Sequence, residues 1–199
     1  MADRAEPLAA LQSRIDDAGF AGTTLTTVPF MAQVGLRVEP GSAAAGRVEA
    51  ALGFELSEAN LVSESGGRRA IWLSPDEWLV IAADGEERSL VALLADAIAG
   101  DGCVVDLSAN RTGLELSGAD ARTVLATCCS LDLHPRVFAT GQCAQTLVQK
   151  AGVLIEHRGE DRYLLLVRPS FAAYVAEWLL DGMLGLEADL ITTSSSTTS

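Results

Sequence analysis

The sequence predicts an α+β protein made of two related halves. Three observations carry that prediction: apolar runs of strand length bounded by turn residues, stretches of 3.6-residue apolar periodicity between them, and one strand–turn–helix opening that occurs twice. Residues 5–18 read as an opening helix with Leu8, Leu11 and Ile15 at helical spacing, and Gly19 stops it. A strand follows over 30–38. Ser42 is placed to cap a helix that runs to Leu52, and Gly53 to end it in the left-handed conformation. Strands over 69–73 and 77–82 flank Ser74-Pro75-Asp76, where proline fixes one backbone angle and Ser and Asp bond local backbone, so the pair forms a hairpin. Helix 86–99 carries Leu90, Leu93, Leu94, Ala97 and Ile98 on one face, and a strand over 103–107 completes a βαββαβ order.

The second half opens with a strand over 112–116, a turn at Gly118, and a helix whose Ala121, Val124, Leu125 and Cys128 share a face. Strands over 144–149, 152–156 and 163–167 lead to a last helix with Phe171, Tyr174, Val175, Trp178 and Leu179 at helical spacing. The chain accordingly divides into a helix and lead-in (1–24), a first α+β half (25–110), a second (111–186) and a tail (187–199). That tail, ending Thr-Thr-Ser-Ser-Ser-Thr-Thr-Ser, is too poor in apolar groups to offset ordering entropy, and disorder is expected there.

Charge and composition exclude several functions. The net charge of −13, with fourteen scattered Lys and Arg, repels a phosphate backbone, so no nucleic acid partner is expected. No apolar run approaches bilayer length, and Asp3, Arg4, Glu6 and Pro7 do not form a signal peptide; a cytoplasmic protein without membrane contact is expected. The hydrophobic fraction of 49% is high, part of it alanine, which leaves apolar surface for a partner. Cys103, Cys128, Cys129 and Cys143 have neither zinc spacing nor the density of a disulfide scaffold and are expected as reduced thiols.

Candidate chemistry is sparse. Cys128 and Cys129 with His134 form the one nucleophile–base pairing to weigh, but Cys128 belongs to a core-facing helix position. The two histidines, His134 and His157, are too few and too isolated for a metal site. No glycine loop of dinucleotide or nucleotide type is present. Asp106, Asn110 and Arg111 flank a break between strands and read either as a self-satisfied turn or as a polar anchor for a neighbouring subunit. Trp72 and Trp78 bracket a tight turn and read either as core pegs or as interface hot spots; His134 reads as a satisfied or surface imidazole and joins them as a candidate partner contact. No residue is assigned a catalytic, cofactor or metal role.

Five motifs in order add a resemblance: Trp72-Leu-Ser-Pro-Asp-Glu-Trp78, Val105-Asp-Leu-Ser-Ala-Asn-Arg-Thr112, Cys129-Ser-Leu-Asp-Leu-His-Pro135, Cys143-Ala-Gln-Thr146 and Val167-Arg-Pro-Ser-Phe171. Over residues 5–184 the chain resembles the gamma subunit of heterotetrameric sarcosine oxidase. That resemblance implies a non-catalytic subunit beside alpha, beta and delta subunits. It places FAD, FMN, NAD and tetrahydrofolate in those partners, which demethylate sarcosine to glycine with hydrogen peroxide and 5,10-methylene-tetrahydrofolate. The second half also resembles the folate-binding domain of glycine-cleavage aminomethyltransferases, through Asp106-Leu-Ser108 and Leu116-Ser-Gly-Ala-Asp-Ala121. This second likeness implies ferredoxin-like halves in an aminomethyltransferase-like arrangement, and offers a stand-alone folate-binding protein as the alternative. One departure counts against that alternative: the family's acidic pair is replaced by Ile155-Glu156, and Ile155 accepts no hydrogen bond.

Overall fold

The computed structural model describes residues 5–20 and 22–196. A 3-10 turn at Ala9–Leu11 and helix α1 (Gln12–Asp17) open the chain, followed by β1 (Gly19–Phe20), β2 (Thr23–Val28) and β3 (Met31–Arg37). Helix α2 (Ala43–Leu52) precedes β4 (Val62–Ser65), β5 (Arg68–Ser74), β6 (Glu77–Ala83), α3 (Glu87–Ile98) and β7 (Cys103–Asp106). The remainder is β8 (Thr112–Gly118), α4 (Ala121–Cys128), β9 (Cys143–Val148), β10 (Ala151–Gly159), β11 (Arg162–Val167) and α5 (Pro169–Ser196). Two compact units result: one of Pro29–Arg111 with Gly141–Ala144, the other of the segment ending at Val28, Thr112–Thr140, and the chain from Gln145 onward.

The first unit carries an antiparallel sheet in the order β4-β5-β6-β3-β7. Leaving aside β4, the strands of the βαββαβ run stand fourth, first, third, second, which is the ferredoxin-like order. Ala32, Val34 and Leu36 alternate along β3 toward α2 (Ala44, Ala45, Val48, Leu52) and α3 (Leu90, Leu94, Ile98). Each fully buried Leu or Ile there contributes about 1.5–3 kcal/mol. Ser42 caps α2 by accepting the Ala45 N–H at 3.1 Å, and Gly53 closes it at φ +82°. The Arg47 guanidinium donates to the carbonyls of Ala97 (2.7 Å) and Ile98 (3.0 Å), satisfying acceptors at the end of α3. Sequence pattern missed β4, whose Val-Ser-Glu-Ser is short and polar. It pairs with β5 through Gly66-Gly67, both at positive φ, a hairpin turn that only glycine takes easily at two successive positions.

The second unit carries the order β1-β2-β8-β11-β10-β9. Here β8, β10 and β11 occupy the first, second and third places, and the fourth is taken by β2, which precedes the run in the chain instead of following it. The units therefore correspond element by element: β3 with β8, α2 with α4, β4 with β9, β5 with β10, β6 with β11, α3 with α5, and β7 with β2. Residue 25, the start expected for the first half, lies inside β2. That strand pairs with β8 from Thr23↔Gly118 to Val28↔Gly113, a long-range partnership that its local pattern of one buried leucine among threonines does not reveal. Gly118 sits at φ +112°, and a Cβ there would lie 1.7 Å from the Gly22 carbonyl oxygen.

Helix α5 departs from expectation in its facing. Val175 and Leu179 are buried as predicted, but the core stripe is completed by Ala172, Ala176, Leu180 and Met183, while Phe171 and Trp178 are exposed and Tyr174 is half-buried. Small residues lead inward because α5 packs closely on α4: a Cβ at Gly182 would lie 2.8 Å from Thr127 Oγ1. The helix also runs past Leu186 to Ser196, so most of the polar tail forms its last turns, and positions 197–199 lie outside the described residues. No helix among the described residues is long and apolar enough to cross a membrane.

Candidate functional site

The residues singled out from the sequence do not converge on one site. Trp78 pairs with Leu36 at one end of β3, is only 3% exposed, and donates its indole N–H to the Ser57 carbonyl at 2.9 Å, so it is a core peg. Trp72 faces it across the β5–β6 hairpin and is half-buried. Both line a cavity of about 370 Å³ together with Pro40, Glu49, Glu58 and Pro75. The intervening turn is held by the Ser74 hydroxyl, which donates to Asp76 at 3.1 Å.

Asp106, Asn110 and Arg111 lie toward the opposite end of β3. Asp106 Oδ1 accepts from the Ser108 N–H (2.9 Å) and hydroxyl (2.6 Å), Ser108 Oγ accepts from the Gln33 N–H (3.0 Å), and the Asn110 N–H reaches the Leu107 carbonyl (2.8 Å). The organiser of this turn was not found from sequence. Gln33, 1% exposed, donates its side-chain N–H to the Arg111 carbonyl at 2.8 Å, while its backbone carbonyl accepts from Leu107 at 2.7 Å. A glutamine within an apolar strand pattern is the one signal that marks it.

The thiol–imidazole pairing is not built. Cys128 is buried, its thiol contacts the carbonyls of Val124 and Leu125 at 3.8 and 3.6 Å, and burial pushes its pKa up to about 11. Cys129 meets the Thr146 hydroxyl at 3.7 Å. His134 is exposed and structures its own loop: its N–H donates to Asp132 at 2.9 Å and its Nδ1 accepts from the Arg136 N–H at 3.2 Å. His157 is buried between the rings of Phe138 and Tyr163, with Nδ1 3.0 Å from the Phe138 carbonyl. Burial also raises the Tyr163 pKa. No group of three or more metal-ligating side chains occurs among the described residues.

The strand that would carry a folate carboxylate is core. Ile155 is fully buried and pairs with Leu165 on β11; Glu156, 4% exposed, lies 3.9 Å from Arg158, which also meets Glu115 at 3.1 Å. Tetrahydrofolate does not fit this place, since Ile155 offers its donors nothing and Glu156 lies beside a cation of its own strand.

The surface that stands out is on α5. Phe171 is 45% exposed, Trp178 36% and Leu184 48%, and Tyr174 meets Trp178 edge to face at 6.4 Å. A groove of about 360 Å³ runs along Tyr174, Trp178 and Leu184, rimmed by Glu177, Asp181 and Arg14, the last 3.7 Å from Glu177. Large aromatics left outside a well-filled core are characteristic of interface centres.

Comparison with known proteins gives concordant matches. Residues 35–184 match the model of the "Sarcosine oxidase, gamma subunit family". The chain is 38% identical over 182 residues to a sarcosine oxidase subunit gamma of Arthrobacter sp, covering 90% of this chain and 88% of that protein. Its identity to the corresponding subunit of Corynebacterium sp. (strain P-1) is 39% over 185 residues, covering 90% of each. It superimposes on a chain of the heterotetrameric sarcosine oxidase from Corynebacterium sp. U-96, in complex with pyrrole 2-carboxylate, with a TM-score of 0.86 and 36% identity over 92% of this chain and 96% of that one. The glycine cleavage system aminomethyltransferase T of Bartonella henselae shares the fold, with a TM-score of 0.63 at 20% identity over 87% of this chain and 49% of that one.

Proposed function

Because the chain belongs to the sarcosine oxidase gamma subunit family, we propose that it is a non-catalytic subunit of a heterotetrameric sarcosine oxidase. In this reading the alpha, beta and delta partners hold FAD, FMN, NAD and tetrahydrofolate. They convert sarcosine to glycine, hydrogen peroxide and 5,10-methylene-tetrahydrofolate in the cytoplasm, and this chain supplies a surface that completes the assembly. The observation that carries it is the likeness to a chain of a solved heterotetrameric sarcosine oxidase over nearly the whole length of both.

The residues support a non-catalytic role. The candidate nucleophile Cys128 is a buried thiol with a raised pKa, and His134 is committed to its own loop. The aminomethyltransferase-like carboxylate is absent at Ile155, which speaks against the stand-alone folate reading. The aromatic stripe Phe171–Tyr174–Trp178 on α5 is the face we assign to a larger subunit, with Trp72, Asp106, Asn110, Arg111 and His134 as further candidates. The test is affinity purification of the tagged chain from its native host. Co-elution in fixed ratio with larger flavin-bearing chains and sarcosine-dependent peroxide formation is expected; elution alone from extracts that retain this activity overturns the reading.

A further inference from the structure

We propose that the cavity beside the β5–β6 hairpin binds a small alkylammonium cation, held by the rings of Trp72 and Trp78 and the carboxylates of Glu49 and Glu58. Its volume of about 370 Å³ suits a small organic molecule, and it lies wholly within the first unit. The sign of its charge is set by the lining, which includes two carboxylates and neither lysine nor arginine. An anion is repelled there, and a neutral apolar guest would strip water from Glu49 without giving it a partner.

The carboxylate is also positioned. Glu49 extends from the last turn of α2, and one of its oxygens accepts the Leu56 N–H at 3.1 Å, which leaves the other available. Trp78, only 3% exposed, has its indole N–H engaged by the Ser57 carbonyl and so forms a fixed, buried part of the wall that does not donate to a guest. Trp72 is half-buried against the same core, which restricts its ring. Aromatic faces carry negative potential that attracts cations, most effectively cations whose charge is spread over methyl groups and weakly hydrated. The rings of Pro40 and Pro75 complete the lining with apolar contacts for such methyl groups.

This inference does not rest on the proposed subunit role, and its test is read on the full-length chain alone. The chain has three tryptophans, so in a Trp178→Phe background both remaining indoles line the cavity and report on it by fluorescence. At constant ionic strength the protein is titrated with choline and, separately, with 3,3-dimethylbutan-1-ol, its uncharged isostere. A saturable change is expected with choline and one at least about tenfold weaker with the alcohol. Glu58→Gln alters an exposed residue, leaves the core intact, and is expected to weaken choline binding about fivefold; Glu49→Gln weakens it further. Equal responses to choline and the alcohol would show a merely apolar hole, and a response absent, or unchanged in both Glu→Gln variants, would likewise overturn the assignment.

Discussion

Replacing Trp178 by alanine tests whether α5 presents the docking face. Trp178 is 36% exposed, and an aromatic side chain of this size buries up to about 250 Å² when fully covered, so about 90 Å² remains for a partner to cover. At about 25 cal/mol per Å² that area is worth about 2 kcal/mol, the threshold of a hot spot, and about a 30-fold loss in affinity. The assay is surface plasmon resonance of this chain over the immobilised remaining subunits of the proposed assembly, beside thermal unfolding of the free variant. Because the core face of α5 is formed by Ala172, Val175, Ala176, Leu179, Leu180 and Met183, the melting temperature of the free chain should change little. Two comparators fix the outcome: Val137→Ser and Leu147→Ser also remove exposed apolar groups of the same unit but lie off the stripe. If these weaken assembly while Trp178→Ala does not, α5 is not the interface and the argument from its aromatics fails.

Three further outcomes follow from single positions. Gly118→Ala forces a side chain into φ +112° and against the Gly22 carbonyl oxygen, and should destabilise by about 2–4 kcal/mol in urea unfolding. The Cys128 thiol, its folded pKa raised above its ordinary value near 9 to about 11, keeps its proton where the unfolded chain has lost it. Its stabilising contribution is therefore present below pH 9 and is lost as pH rises through about 11; Cys128→Ala should flatten that alkaline decline, and iodoacetamide at pH 8 should modify exposed Cys103 well before Cys128. Ile155→Asp puts a carboxylate at a fully buried strand position and should cost about 3–5 kcal/mol, while calorimetry with tetrahydrofolate shows no heat of binding; folate binding by this variant, or by the parent chain, would restore the enzyme reading.

What the sequence made legible was local. The Ser42 cap, the Gly53 stop, the Ser74-Pro75-Asp76 hairpin and the faces of α3 and α4 are each determined by neighbours a few residues away, and each is found where pattern placed it. What escaped was set by distance in the chain. The pairing of β2 with β8 and the docking of the Asp106–Arg111 turn on Gln33 join segments 75–95 positions apart, and no periodicity within β2 or β3 encodes the partner. The facing of α5 failed for a different reason. Its apolar residues occupy more of the circumference than one core can take, so helical spacing alone admits two stripes, and close approach to α4 at Gly182 selects the one lined by alanines.

That selection joins the fold to the proposed role. Its counterpart in the first unit, α3, buries Leu90, Leu94 and Ile98 and has Leu93 and Ala97 packed against the same core, so its apolar residues are used within the unit. Helix α5 fills its core with Ala172, Val175, Ala176, Leu179, Leu180 and Met183 and holds Phe171 and Trp178 outside it. Covering those aromatics releases free energy that the isolated chain cannot realise, whereas a chain functioning alone gains nothing from displaying them. The difference between two otherwise corresponding helices thus argues for a dedicated partner surface, independently of any likeness to known subunits.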